Sequence, residues 1–204
     1  MSDVLKSRFP RVLTVKGRAF TLRPLLAGDE KELLEYFRRL PVDERQMLKD
    51  DVTNPKVIKG WCQKINFESV LPILAFEGNR LVANVTLHRT RGGWSGHVAK
   101  IRLTSDPGVR GIGLAAALTR EVLDTAHDLG VAIVDAEVMT EQKKALKLLE
   151  RLDFVAVATL PHHVVDLNHR PHDLVVLSRT LIPVERLSPD AWKTAEEVDE
   201  GGGG

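Results

Sequence analysis

The sequence predicts a mixed α/β fold of the α+β class, formed by a single domain. The chain has 204 residues, which suits one continuous core that needs no disulfide support. Its middle contains apolar runs joined by short turn sequences, which are typical of strand hairpins. Its second half alternates strand-like runs with segments of helical period and ends in a further hairpin, an order that indicates a mixed sheet.

A short strand and an amphipathic helix are predicted near the N-terminus. Residues 19–23 alternate apolar and polar side chains before Pro24, as a strand does. We expect Asp29 to cap a helix that ends at Pro41. The helix presents one apolar stripe, which consists of Leu33, Leu34, Phe37 and Leu40.

Two more helices and three strands follow. A second helical stretch continues to about Lys49, and a third helix begins after Pro55. The apolar positions of the third helix are Val57, Ile58, Trp61 and Ile65. The strands are predicted at residues 71–76, 81–87 and 97–105, with a tight turn at residues 77–80.

The second half of the chain begins with a long predicted helix over residues 111–129, closed by Gly130 as its C-cap. A buried strand is expected at residues 131–138, and a second amphipathic helix at residues 142–152. Two strands joined by a turn complete the pattern, at residues 155–167 and 172–181.

The composition changes at both ends of the chain. Residues 1–18 are a basic leader with a short apolar stretch that could form an edge strand. We expect the folded domain to span residues 19–183. Residues 184–204 are acidic and end in four glycines, so they are predicted to form a flexible tail.

Charge and cysteine content narrow the classes of function. Charged residues make up 28% of the chain and the net charge is +1, which disfavours a general affinity for nucleic acid or acidic membranes. Cys62 is the only cysteine, so an internal disulfide is excluded and a reducing compartment is expected. No apolar run approaches the roughly 18 residues of a membrane span, and the N-terminus lacks a signal-peptide core. The sequence therefore predicts a cytoplasmic location.

One loop has the composition of an anion site. Residues 105–115, Ser-Asp-Pro-Gly-Val-Arg-Gly-Ile-Gly-Leu-Ala, join a predicted strand to a helix. Helix N-termini leave backbone N–H groups unpaired and attract phosphate, and Gly111 and Gly113 allow close approach to the backbone. Arg110 can add a charge-assisted bond. Glycine spacing alone favours an ordinary turn between a strand and a helix, and neither a Walker loop nor a convincing dinucleotide fingerprint is present.

The surroundings of this loop resemble a known family. Pro107 followed by Arg110-Gly111-x-Gly113-x-Ala115 resembles the coenzyme A signature of the GNAT superfamily of N-acyltransferases. Two later segments are similar to further family motifs in the right order, namely Gln142-x-x-Ala145 with Asp153-Phe154, and His172-Asp173 with Leu177. The resemblance covers residues 19–181.

The resemblance implies a fold, a coenzyme and its site. The sheet would be mostly antiparallel, splayed between two central strands, with helices on both faces. Acetyl-CoA would place its pyrophosphate on the main chain of the predicted loop and its pantetheine arm along the first splayed strand. The coenzyme-binding residues are expected to be Leu103, Ser105, Arg110, Gly111, Ile112, Gly113, Leu114, Ala115 and Gln142.

Two residues are candidates for removing a proton from an amine acceptor. Glu137, one strand away from the coenzyme, is the first candidate for general base, although a salt-bridged strand residue is an equally good interpretation. His97 is the second candidate because it titrates near neutrality. The sequence also departs from the family. Lys100 stands where a carboxylate is common, and Leu149 replaces the usual tyrosine acid.

Other residues invite weaker hypotheses. His162, His163, His169 and His172 could suggest zinc, but neighbouring strand residues point to opposite faces and no cysteine joins them, so we predict no metal site. Trp61 and Trp94 could line an acceptor pocket, although core packing is the better interpretation for Trp61.

Two functions remain open at this level, beside a third possibility, a protein that binds nucleotide phosphates. The first is an N-acetyltransferase that uses acetyl-CoA and a primary amine of a small molecule or a protein lysine. The second is a catalytically weak acyl-CoA-binding regulatory module, which the missing tyrosine keeps open. Acyl-CoA and an amine acceptor are the expected partners, nucleic acid and membranes are not, and a homodimer is one open arrangement.

Overall fold

The computed structural model describes residues 3–45, 48–90, 92–166 and 168–187. These residues form an eight-stranded sheet with the strand order β1-β2-β3-β4-β5-β6-β8-β7. All neighbouring strands are antiparallel except β5 and β6, which run parallel. The strands are β1 (Arg11–Val15), β2 (Arg18–Pro24), β3 (Val70–Glu77), β4 (Arg80–Arg89), β5 (Val98–Ser105), β6 (Ile133–Met139), β7 (Val155–Val165) and β8 (Pro171–Thr180).

Helices cover both faces of the sheet. They are α1 (Asp3–Arg8), α2 (Glu30–Arg39), α3 (Val42–Arg45), α4 (Pro55–Gln63), α5 (Leu114–Asp128) and α6 (Lys143–Glu150). The apolar stripe of α5 packs with Val85, Ile101 and Val134 in the main core. Helices α2 and α4 cover the other face, where Tyr36, Ile58 and Leu74 belong to a second apolar cluster. The predicted fold class is confirmed.

The sheet opens between its two central strands. β5 and β6 pair only from Val98 opposite Ile133 to Ile101 opposite Ala136. Beyond that point β5 remains paired with β4 as far as Ser105, and β6 remains paired with β8 as far as Met139. The two strands therefore separate while each keeps its outer neighbour. The splayed sheet implied by the family resemblance is confirmed.

The predicted leader is continuous with the domain. β1 pairs with β2 as an edge strand, as the apolar stretch suggested. Leu5 of α1 is buried in the main core, and Arg8 Nε donates to Asp128 Oδ2 of α5 at 2.7 Å. The predicted tail lies outside the described residues beyond residue 187. Among the described helices, none has the length and apolarity that a membrane crossing requires.

Three local predictions need correction. Asp29 occupies the N-cap position of α2, as predicted, but its side chain makes no capping bond. Its carboxylate instead accepts two bonds of 2.7 Å from the Arg23 guanidinium and one of 2.8 Å from Leu26 N–H. A bidentate pair between a guanidinium and a carboxylate is stronger than a single capping bond from a neutral N–H to that carboxylate. The second helical stretch was expected to reach Lys49, but in the described residues the helix α3 ends at Arg45. None of its side chains is buried, so no packing stabilises a longer helix.

The third correction concerns the start of α5. The helix begins at Leu114 rather than Gly111, because Gly111 and Gly113 have φ values of 74° and 96°. This left-handed conformation cannot continue into a right-handed helix. At the other end the C-cap is as predicted, since Gly130 has φ 75° and Val131 N–H donates to Ala126 O at 2.9 Å.

Candidate functional site

The loop between β5 and α5 is anchored by a buried carboxylate. Asp106 is 4% exposed and accepts bonds from Gly108 N–H at 2.9 Å, Arg39 Nε at 3.0 Å and Arg80 at 2.9 Å. Burial opposes its charge, but these bonds outweigh burial and lower the pKa of Asp106 below its usual value. Asp106 thus ties the loop to α2 and to the turn between β3 and β4, which fixes the position of the glycine turn that follows.

The glycine turn, residues 110–113, presents backbone N–H groups to solvent. The first helical bond runs from Ala117 N–H to Gly113 O at 3.1 Å. In the described part of the chain, no carbonyl accepts a bond from the N–H groups of residues 111–116. The side chain of Leu114 is buried in the main core, so Leu114 can meet a ligand only through its main chain. This turn has the free donors that a phosphate group needs.

Arg110 is engaged by a carboxylate. Its guanidinium donates to both oxygens of Glu44 on α3, at 2.6 and 2.7 Å, and to Ser105 O at 2.9 Å. Both groups are partly exposed. Glu44 is therefore a competing anion at the position where the sequence predicts pyrophosphate to bind, and a ligand phosphate would have to displace it or share the guanidinium.

Replacing Glu44 by Gln should strengthen the binding of coenzyme A. Removing one exposed ion pair and one carboxylate near the phosphate should raise affinity roughly three- to tenfold. Titration calorimetry with coenzyme A measures this change, and Asp43→Asn on the same helix is the matched control. Weaker binding by the Glu44→Gln variant would instead mean that Glu44 holds Arg110 in its binding position.

The gap between β5 and β6 contains a cavity of about 470 Å³, here called the gap cavity. His97 O accepts bonds from Ala132 N–H and Ile133 N–H. Because main-chain groups alternate sides along a strand, the groups of Leu103 and Ser105 also face β6, where the pairing has ended. Leu103 therefore offers a free strand edge inside the cavity. Gln142 also lines the cavity, and its Oε1 accepts from Met139 N–H at 3.0 Å.

A second cavity, of about 550 Å³, lies between the sheet and helices α2 and α4; we call it the acceptor cavity. Its outer wall is apolar and includes Leu33, Phe37, Trp61 and Ile65. Its floor is polar and includes Asn84, Thr86 and His88 of β4 with Arg102 and Thr104 of β5. Lys49, Arg102, Leu103 and Thr104 line both cavities, so the two cavities meet at the outer half of β5.

Glu137 lines the gap cavity and contacts Lys49, which lines both cavities. It is the only carboxylate among the described residues that line the gap cavity. Its carboxylate accepts hydrogen bonds from Lys100 Nζ and, at 3.1 Å, from Lys49 Nζ. Burial raises the pKa of Glu137, but the two lysines outweigh burial and hold it below its usual value. The carboxylate is thus ionised at neutral pH, and Lys100 is its partner rather than a replacement for it.

The two predicted catalytic residues are not brought together. His97 precedes β5 at the closed end of the parallel pair and is not among the lining residues described for either cavity. His88, which we did not predict, lines the acceptor cavity. Burial, reinforced by Arg102 and Lys49, lowers the pKa of His88 to about 4, so the imidazole is neutral at physiological pH. The signal for it was present in β4, where Asn84, Thr86 and His88 alternate with apolar residues.

The departures from the family motif have structural counterparts. Leu149 is buried and lines the gap cavity, where it can donate no proton. The hydroxyl of Tyr36, the only tyrosine, donates to Thr104 Oγ1 at 2.8 Å, which couples α2 to the meeting point of the cavities. Burial raises the pKa of Tyr36 well above its usual value. Asp153 adopts φ 60°, the left-handed turn that a glycine commonly supplies.

The histidine and tryptophan hypotheses also have structural outcomes. His172 lies between Glu141 Oε1 at 3.3 Å and Asp166 Oδ2 at 3.4 Å. His162 Nδ1 lies 3.8 Å from Asp173 Oδ1. Trp61, for which we preferred core packing, lines the acceptor cavity and packs edge-on against Phe37. Trp94 is 88% exposed and is not among the described lining residues.

Comparison with known proteins identifies the sequence family and the fold. Residues 31–154 match the acetyltransferase (GNAT) family model. The fold is similar to that of the ribosomal-protein-S5-alanine acetyltransferase from Vibrio fischeri, with a TM-score of 0.73, 15% identity and coverage of 88% of this chain and 100% of that chain. No curated protein matches the chain in sequence.

Two further structures are similar in fold. A Salmonella typhimurium protein described as an acetyltransferase, solved with its cofactor acetyl-CoA, has a TM-score of 0.69 and 15% identity, with 83% and 98% of the two chains covered. A chimera of spermidine N-acetyltransferase from Vibrio cholerae has a TM-score of 0.68 and 20% identity, with 79% and 95% covered. At these identities the similarity establishes the fold and leaves the acceptor undetermined.

Proposed function

This chain belongs to the GNAT acetyltransferase family, and from that premise we propose that it transfers the acetyl group of acetyl-CoA to a primary amine held in the acceptor cavity. The observation that carries the proposal is the junction of the two cavities beside an unpaired strand edge and a glycine turn with free N–H groups. A donor in the gap and an acceptor under α2 and α4 would meet at Leu103 and Thr104.

The coenzyme fits the residues at this junction. The N–H groups of residues 111–116 and the Arg110 guanidinium would hold the pyrophosphate. The main chain of Leu103 would pair with the pantetheine arm, as an added strand would. Ile112 and Ala115 would contribute through their main chain. Gln142 would contribute through its side-chain NH₂ group, because its Oε1 already accepts from Met139 N–H. Acetyl-CoA supplies the activated thioester when bound.

The reaction requires an amine nitrogen with a free lone pair. Attack on the thioester carbon forms a C–N bond, the C–S bond breaks, and the proton lost by the amine balances the thiolate that leaves. Lys49, Lys100 and Arg102 surround the junction, and like charge lowers the pKa of a bound ammonium group. We propose that Glu137, ionised at neutral pH, accepts the proton directly or through water, with neutral His88 in place of His97 as the second candidate.

A second candidate function is an acyl-CoA-binding regulatory module with weak catalysis. It is favoured by Leu149, which offers no proton to the leaving thiolate, and by the two lysines that engage Glu137. Thiol release from acetyl-CoA in the presence of a panel of amines separates the two functions. We expect amine-dependent thiol release that saturates in both substrates. Tight coenzyme binding without thiol release for any amine would support the regulatory module.

A further inference from the structure

More cationic than anionic side chains line the acceptor cavity. Lys49, Lys64 and Arg102 line it, and Asp50 is the only carboxylate among its described lining residues. Lys49 is bound to Glu137, but within the described chain no carboxylate forms an ion pair with Arg102. His88 adds no charge, because its pKa lies at about 4. A substrate that brings only positive charge would be repelled here, whereas an anionic group would find a guanidinium without a partner.

A second unused group lies on the same floor. Asn84 Oδ1 is buried and has no hydrogen-bond partner in the described part of the chain. A buried acceptor without a partner is costly unless a ligand supplies a donor. In the register of β4 with β5, Asn84 is opposite Thr104, and Thr86, two residues further along β4, is opposite Arg102. Side chains of directly opposed residues share a face of the sheet, so Asn84 and Arg102 are diagonal neighbours on one face, with backbone positions roughly 7–8 Å apart.

The wall of the acceptor cavity that faces the sheet is apolar and restricts the size and shape of the side chain that a ligand can place there. Phe37 and Trp61 pack edge-on with ring centroids 5.9 Å apart, and Leu33 and Ile65 extend the apolar surface. A volume of about 550 Å³ lies within the range of small-molecule sites. The cavity can therefore hold an aliphatic or aromatic side chain against helices α2 and α4 while the polar end of the ligand faces the sheet.

We propose that the acceptor is an apolar α-amino acid or a close analogue with an anionic group next to its amine. This inference rests on the proposed acetyltransferase function and names the substrate class of that site. The carboxylate pairs with Arg102, whose planar fork matches two carboxylate oxygens. An amine N–H donates to Asn84 Oδ1, and the apolar side chain lies on Phe37 and Trp61. The product is the N-acetyl amino acid, which carries one more negative charge than the zwitterionic substrate.

The test compares each amino acid with its decarboxylated amine. L-Leucine is paired with 3-methylbutylamine and L-phenylalanine with 2-phenylethylamine, and spermidine serves as the polycation. Thiol release should give a kcat/KM at least about tenfold higher for each acid than for its amine, the effect expected of one charge-assisted pair. In Arg102→Gln this preference should disappear, because activity on the acids should fall much further than activity on the amines. Arg102→Lys should retain part of it, and Arg120→Gln on α5 should leave it intact.

Two further measurements separate the possible failures. Calorimetry with coenzyme A in each variant reports the donor site alone, and calorimetry with the amino acids in the presence of coenzyme A reports acceptor binding without turnover. Higher kcat/KM for spermidine or the plain amines, with Arg102→Gln unchanged, would overturn the substrate class and leave the acetyltransferase function standing. Absence of thiol release would count against the function, while preferential binding of the acids would still support the class.

Discussion

Replacing Gly113 by Glu is expected to weaken the binding of coenzyme A by roughly 100-fold or more, because like-charge contacts at a binding site cost several kcal/mol. Gly113 is the N-cap of α5, with φ 96°, and an added Cβ would have only the Val15 side chain, at 3.9 Å, within 4 Å. The new side chain would thus cause no steric clash, but its carboxylate would lie among the N–H groups proposed to hold pyrophosphate. Titration calorimetry with coenzyme A measures the loss.

The control for Gly113→Glu must reproduce its backbone strain. Gly130 ends the same helix with φ 75°, and a Cβ there would meet nothing within 4 Å. Gly130→Glu therefore carries a similar left-handed penalty and the same added charge, far from the glycine turn. It should lower the melting temperature about as much as Gly113→Glu does while leaving coenzyme affinity near wild type. Equal affinity in a folded Gly113→Glu variant would show that the turn does not bind pyrophosphate.

Replacing Glu137 by Gln should lower kcat by roughly 10²–10³-fold, the usual range for loss of a general base, with a small effect on coenzyme affinity. Glutamine keeps the shape of the side chain and can still contact Lys49 and Lys100, so the change isolates the charge. Glu141→Gln is the matched control, since Glu141 follows β6 but binds His172 instead. His88→Gln should be measured beside it, because His88 lines the acceptor cavity and is the second candidate for the base.

The pH profile adds a readout that a purely structural role would not give. The lysines hold the pKa of Glu137 below its usual value, so activity that depends on the carboxylate is present at neutral pH and is lost only as the pH falls through that lowered value. Between pH 6 and 9 the wild-type rate should therefore follow the amine alone, and Glu137→Gln should lower the whole curve without moving its midpoint. Near-normal turnover in Glu137→Gln, with a large loss in His88→Gln, would transfer the role to the imidazole.

The glycine turn could be predicted from sequence because its conformation depends on neighbouring residues. Glycines at 111 and 113 permit positive φ, and Asp106 caps the short 3-10 helix Pro107–Val109 that precedes them. The apolar stripe of α5 sets the direction of the helix that follows. For the same reason the order of strands and helices after α1 was predictable, as was the cap at Gly130, whereas α1 itself was not predicted. The start of α5 was predicted three residues too early, at Gly111. The glycines form the turn through positive φ values, and residues with positive φ cannot be part of the right-handed helix.

The ion pairs and pKa values of the site could not be predicted from local sequence, because the residues that interact lie far apart in the chain. Glu137 meets Lys49 across 88 positions, and Arg110 meets Glu44 across 66. His97 and Glu137 were both candidates for the same proton transfer, but β5 and β6 pair at the end near His97 and separate beyond Ala136. The charge state of His88 depends on burial beneath two helices and on cations from β5 and a distant loop. Local residue types determine backbone conformation, whereas pKa values and ligand charge depend on which side chains the completed sheet brings within a few ångströms of one another.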